Sequence, residues 1–207
     1  MNIIWYGQTY FQINCQKTKS NPVKIIINPL ETGENLRIPK LDADILLFSS
    51  KNYNKSRIKG QPFIINVPGE YDVKDIFLQG ISCGNDLIIY RLEAESINLC
   101  YLGNLDNKEL LDNGVLEKIG NIDILMISIG NDRGLNSSEA LEIIHQIDPR
   151  IVIPMYYQTI KQKQGFGEEM DQILKAVSKK SIIDQNKLSI KKKDIPNQGL
   201  EVIVLKP

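Results

Sequence analysis

A layered α/β sandwich, two β-sheets packed face to face between helices in a single domain spanning residues 1–207, is the architecture this sequence predicts. Three observations predict it. Short, β-branched apolar runs separated by turn residues fill the first two-thirds of the chain. Helical periodicity starts only at Lys108. Further apolar runs lie between the helical stretches, and one of them, Ile151–Met155, is so uniformly hydrophobic that it suits burial on both faces.

The elements follow in order. Strands are expected at Asn2–Tyr6, Tyr10–Asn14, Val23–Ile27, Ile45–Phe48, Phe63–Asn66, Ile76–Ile81, Leu87–Arg91 and Ile97–Leu102. Pro68-Gly69-Glu70-Tyr71 reads as a tight turn in which Tyr71 packs and Glu70 satisfies backbone donors. The spacing of Leu110, Leu111, Val115, Leu116 and Ile119 predicts a helix over Lys108–Ile119. Leu141, Ile144 and Ile147 predict another over Ser138–Ile147, with Ser137 as its N-cap and Pro149 as its stop. Met170, Ile173, Leu174 and Val177 predict a third over Glu168–Lys179. Asp123–Ile129, Ile151–Met155 and Leu200–Leu205 complete the strands, and the lysine-rich Lys187–Asp194 is expected to form a solvated edge beside the last of them.

Composition narrows function. Of the residues, 42% are hydrophobic and 24% charged, ordinary for a soluble globular chain, and Lys+Arg and Asp+Glu balance at 25 each. A neutral balance gives no basic footprint for nucleic acid. No apolar stretch is long enough to span a bilayer and the N-terminus lacks a signal-peptide pattern, so neither a membrane nor an extracellular role is expected and the protein is placed in the cytoplasm. Cys15, Cys83 and Cys100 show no C-x-x-C spacing and are expected to be buried thiols. His145 is the only histidine, near the end of a predicted helix, where a surface or packing role is expected.

Segments along almost the whole chain, in order, carry a recognisable pattern. They are IIWYGQTYFQI with Gly7, Thr9 and Phe11; VKIIINPLETG with Asn28-Pro29; LDADILLFSSKNYNKS; VPGEYDVKDIFLQGIS; INLCYLGNLDNKEL; and IDPRIVIPMYYQT. Together they resemble the metallo-β-lactamase superfamily, in its branch of bacterial zinc-dependent hydrolases that includes the ascorbate-phosphate lactonases. The resemblance implies a metallo-β-lactamase-like αββα sandwich of two mixed sheets flanked by helices, with two zinc ions held at strand ends. It also shows what is missing. Where the His-x-His-x-Asp-His signature would stand, this chain has Ser50, Asn52, Asn54 and Lys55. Gln8, Tyr101 and Tyr156 stand where histidines would, and Asn28 and Asn104 where aspartates would.

Neutral serine, asparagine and tyrosine are poor zinc ligands, and a lysine is a cation at neutral pH. No metal is therefore expected, although the family would use two zinc ions. The losses are also coupled. A buried carboxylate stripped of its metal costs several kcal/mol, and the acids have become amides along with the loss of the imidazoles. Gln8, Asn28, Ser50, Asn52, Asn54, Lys55, Asn104 and Tyr156 are thus expected to line a pocket at the former metal positions. Ser50, Asn52, Asn54, Asn104 and Tyr156 would form a polar cluster, with Lys55 near one vacated position.

The leading expectation is a pseudoenzyme that acts by binding a small polar ligand or a protein partner, or by assembling with copies of itself or with an intact paralogue. The alternative is a lactonase- or phosphodiesterase-type hydrolase with weak, metal-free or altered-metal activity. Its candidate residues are Lys55 with Tyr156 as an acid/base pair and Cys83 as nucleophile or ligand, supported by acids such as Glu70, Asp72 or Asp86.

Overall fold

The computed structural model describes residues 1–16, 22–29, 39–51, 54–84, 86–130, 134–157 and 167–206. Asn52 and Tyr53 of the altered signature lie outside them. In chain order the strands are β1 (Asn2–Trp5), β2 (Phe11–Cys15), β3 (Val23–Ile27), β4 (Leu41–Asp42), β5 (Ile45–Leu47), β6 (Ile58–Lys59), β7 (Phe63–Ile65), β8 (Gly69–Val73), β9 (Ile76–Cys83), β10 (Leu87–Ala94) and β11 (Ile97–Tyr101). After them come α1 (Asn113–Ile119), β12 (Ile124–Ser128), α2 (Ser137–Ile147), β13 (Ile151–Met155), α3 (Glu168–Ala176), β14 (Lys179–Ile183), β15 (Lys187–Ser189) and β16 (Glu201–Leu205).

The strands form a six-stranded sheet in the order β15-β1-β2-β3-β5-β7 and an eight-stranded sheet in the order β14-β16-β13-β12-β11-β10-β9-β8, with β4 and β6 as a small separate pair. Both large sheets are mixed. β3, β5 and β7 run parallel in the first, and β11, β12, β13, β16 and β14 in the second, while the remaining neighbours are antiparallel. This is the expected sandwich. Strand alternation places Ile25 and Ile27 of β3 in the main core, whereas Ile26 faces the other way into a smaller cluster with Tyr10, Leu46 and Phe48. On that outer face Leu41, Ala43 and Ile58, from the β4–β6 region, provide the cover.

The eight-stranded sheet is buried deepest at its centre, where every residue of β12, β13 and β16 is buried. Ala140, Ile143, Ile144 and Ile147 of α2 and Met170, Ile173 and Leu174 of α3 belong to the same core. Among the described residues no helix is long and apolar enough to cross a membrane.

Local details correct several expectations. Gly69-Glu70-Tyr71 is not a turn but part of β8, paired antiparallel with β9; the reversal comes at Lys74 and Asp75, both with positive φ. Alternation explains it, since Tyr71 and Val73 pack inward while Glu70 and Asp72 stay exposed. The single helix expected over Lys108–Ile119 is a 3₁₀ turn, Lys108–Leu110, followed by α1. Asn107 caps the first through the Glu109 amide and Asp112 the second through the Val115 amide, so two competing caps divide the periodic stretch. The N-cap of α2 is Asn136, not Ser137, in a reciprocal capping box with Glu139. α3 stops at Ala176 because Lys179–Ile183 pairs with β16 along five residues. The lysine-rich segment pairs through β15 with the first strand, β1, not with the last one.

Candidate functional site

The family positions fall on loops that leave the C-terminal ends of the strands, where an open αβ sheet places its ligands. Gln8 follows β1, Asn28 β3, Ser50 β5, Asn104 β11 and Tyr156 β13. Gln8, Asn28 and Tyr156 have positive φ of 49°, 50° and 67°. Asparagine visits that region readily, whereas for Gln8 and Tyr156 it is an uncommon conformation held only when surrounding contacts determine it.

Asn28 sits at the centre of those contacts. Its Oδ1 accepts from the Ser49 backbone N–H at 2.8 Å, and its Nδ2 donates to Ser49 Oγ at 2.7 Å and to the Tyr101 hydroxyl at 2.6 Å. Tyr101 in turn donates to the Thr9 carbonyl at 2.8 Å. Asn28, Ser49, Tyr101 and Thr9 are all essentially inaccessible. The Ser49 amide fixes the orientation of the Asn28 side chain, which leaves both amide hydrogens to serve two oxygens. A carboxylate has no such donors, so this arrangement needs asparagine rather than aspartate at 28. The network also joins the two sheets, because Thr9, Asn28 and Ser49 belong to the six-stranded sheet and its loops while Tyr101 ends β11 of the other.

Packing reinforces the junction. Gly103 has φ of +64°, and a Cβ there would lie 2.9 Å from both Ser49 Oγ and Leu87 Cδ1. Ser128 Oγ donates to the Gly103 carbonyl at 2.7 Å. The buried Tyr90 hydroxyl bridges the carbonyls of Phe48 and Ile65 at 2.8 and 2.9 Å, and burial raises its pKa. On the other side Trp5 Nε1 donates to the Gln8 carbonyl at 2.8 Å, and its ring lies 5.1 Å from that of Tyr157, whose hydroxyl donates to the Leu205 carbonyl.

The remaining candidates are placed as follows. Gln8 points to solvent, and Ser50, Asn104 and Tyr156 are partly buried. Asn104 Oδ1 is buried without a hydrogen-bond partner among the described residues. Asn54 and Lys55 are exposed on a turn that Asn54 stabilises by accepting from the Ser56 amide at 2.7 Å. Cys83 is fully buried on β9, its thiol directed at the Leu110 carbonyl, and burial together with the Asp112 charge pushes its pKa up to about 11. A neutral, enclosed thiol at pH 7 is no nucleophile. Glu70 and Asp72 are exposed on β8, Asp86 forms an exposed ion pair with Lys51, and His145 is exposed in the last turn of α2. Thr9 stands in the sequence only as a matched residue of the first segment, and Ser49 carries no pattern at all, because a hydroxyl or backbone carbonyl next to a ligand position has no signature of its own.

Among the described residues no three His, Cys, Asp or Glu side chains converge to hold a metal ion. The groups at the family positions do not fit zinc either, since Asn28 and Tyr101 spend their polar atoms on the protein and the rest are amides, hydroxyls and an exposed ammonium. A consequence for cysteine chemistry follows. Cys15, Cys83 and Cys100 are all buried, with burial the leading cause that raises each pKa. Native protein at pH 8 is expected to leave all three unlabelled by a thiol reagent, with full labelling only in denaturant; rapid labelling of one thiol under native conditions would contradict the burial.

Comparison with known proteins agrees with the geometry. The family profile for the beta-lactamase superfamily domain matches residues 7–156. The chain belongs to the metallo-β-lactamase superfamily. A UPF0173 protein of Pyrococcus abyssi is 26% identical, the match covering 82% of this chain and 90% of the relative. A Thermotoga maritima protein assigned to the zinc-dependent hydrolases of the metallo-β-lactamase superfamily is 25% identical with a TM-score of 0.83, covering 99% of this chain and 98% of that one. The metallo-β-lactamase fold protein YhfI from Bacillus subtilis shares the fold at 8% identity, with a TM-score of 0.62.

Proposed function

We propose that this member of a hydrolase superfamily has exchanged metal-dependent hydrolysis for a role in binding or assembly. The observation that carries the reading is the Asn28–Ser49–Tyr101–Thr9 network. Two residues at family metal-site positions, the amide at 28 and the phenol at 101, have become mutually satisfied structural groups that hold the sheets together. In the family's arrangement imidazole and carboxylate lone pairs face a metal; here the groups at 28 and 101 face the protein.

The chemistry left at the surface of the site supports binding better than turnover. Ser50, Asn104 and Tyr156 offer neutral donors and acceptors on half-buried side chains. The described side chains at these positions are amides, hydroxyls and one ammonium, with no imidazole or carboxylate among them to serve as a general base. Three buried, unpaired cysteines support a reducing, cytoplasmic setting. The reading is tested by metal analysis of the purified chain together with lactonase and phosphodiesterase assays in the presence of added zinc or manganese. No metal retention and no turnover are expected.

A further inference from the structure

Among the described residues the sandwich has two open ends, and their strands differ in charge. At one end lie β7, the edge of the six-stranded sheet, and β8, the edge of the eight-stranded sheet, joined by a three-residue link. At the other end lie β15 and β14, again the edges of the two sheets and again joined by three residues. The exposed charges on β7 and β8 are Glu70 and Asp72, with no basic residue on either strand. Those on β14 and β15 are Lys179, which pairs with Glu201 of β16, and Lys180 and Lys187, which form no ion pair among the described residues.

Hydrophobic exposure falls on the same ends. The four large hydrophobic side chains exposed among the described residues are Phe63 (49%), Ile64 (38%) and Val67 (55%) at the acidic end and Ile182 (51%) on β14. Phe63 meets the Tyr71 ring edge-on at 6.3 Å, so the apolar patch is continuous with the edge of β8. An open strand edge with exposed apolar groups is a template for pairing with another chain.

We propose that copies of this chain associate head to tail, the β7/β8 end of one joining the β14/β15 end of the next. Direction permits it in both sheets at once. Following the pairings across the eight-stranded sheet, β14 runs opposite to β8, and across the six-stranded sheet β15 runs opposite to β7. A neighbour that continues both sheets in the same sense therefore forms two antiparallel junctions, the pairing that tolerates short edges best. Charge then selects the partner. β8 against a second β8 sets Glu70 and Asp72 against like charge, and β14 against a second β14 does the same with lysines, whereas β8 against β14 pairs opposite signs. Such a heterologous contact closes into a ring or propagates as a filament. The proposal commits the assembly side of the preceding reading to a surface, and it stands apart from the metal question because mass tests one and elemental content the other.

Sedimentation velocity on the full chain tests it. The wild type is expected to sediment as a species larger than a monomer at low ionic strength and to dissociate as salt rises. Glu70→Lys with Asp72→Lys, and separately Lys180→Glu with Lys187→Glu, should each weaken association at least tenfold. An equimolar mixture of the two double variants should recover it, because the reversed ends are again complementary. Val67→Asp and Ile182→Asp serve as the second pair, each blocking one end; each alone is expected to stay monomeric, and an equimolar mixture of the two to stop at a dimer. A wild type that stays monomeric at every concentration, or an oligomer that survives reversal of the β14/β15 lysines and Ile182→Asp, overturns the head-to-tail contact.

Discussion

Asn28→Leu is expected to lower the unfolding free energy by about 3–5 kcal/mol, the range for breaking a buried, fully hydrogen-bonded polar centre while its partners stay in place. The substitution keeps the γ-branched skeleton of the side chain and puts two methyl groups where the oxygen and nitrogen stood. What it removes is the acceptor for the Ser49 amide and the two donors to Ser49 Oγ and the Tyr101 hydroxyl. All of these are buried away from water, so each loses its partner without solvent to replace it. The left-handed backbone at 28 adds to the cost, because asparagine tolerates φ of 50° better than a γ-branched apolar residue does. Urea unfolding monitored by Trp5 fluorescence measures the loss, with an unchanged m-value showing that the native fold is retained. A loss under about 1 kcal/mol, the size of one ordinary hydrogen bond, would mean that the network is not the junction described above.

Gly103→Ala should cost about 2–4 kcal/mol, through a left-handed φ and an overpacked contact together. Its new methyl would meet Leu87 Cδ1 and Ser49 Oγ at 2.9 Å and Ser49 Cβ at 3.1 Å. The leucine terminus can turn away. Ser49 cannot, because Asn28 holds it by both its backbone N–H and its hydroxyl. The strain therefore passes into the network, and the double variant Asn28→Leu/Gly103→Ala should be less destabilised than the sum of the single ones. Additive losses in the same urea experiment would show that Gly103 and Asn28 are independent.

The sandwich was legible because period-two alternation and apolar runs mark strands wherever one or both faces are buried, as in Val23–Ile27 and Ile151–Met155. β8 was not, because Pro68-Gly69 looks like punctuation, while the evidence for a strand lies in its pairing with β9. The short helices were misjudged at their ends for a similar reason. Asp112 and Asn136 act through single side-chain bonds to local amides, which periodicity does not register.

The candidate site divides along the same line. Aligned positions pointed to Asn28, Tyr101 and Asn104 as altered, but the partners that give Asn28 its role lie 21 and 73 residues away in sequence. Asn54 and Lys55 shared the aligned motif, yet they occupy an exposed turn that serves its own backbone. A motif states which residue types are absent. It does not state what the substitutes do, and that depends on burial and on neighbours brought in by the fold.

Elemental analysis of the chain purified from zinc- and manganese-supplemented cells tests the central claim most directly. A protein with amides, hydroxyls, phenols and a lysine at the family's ligand positions should carry no stoichiometric zinc, manganese or iron, before or after incubation with added metal. One or two metal ions per chain that survive desalting, with hydrolysis of a lactone or phosphodiester that a chelator abolishes, would contradict it.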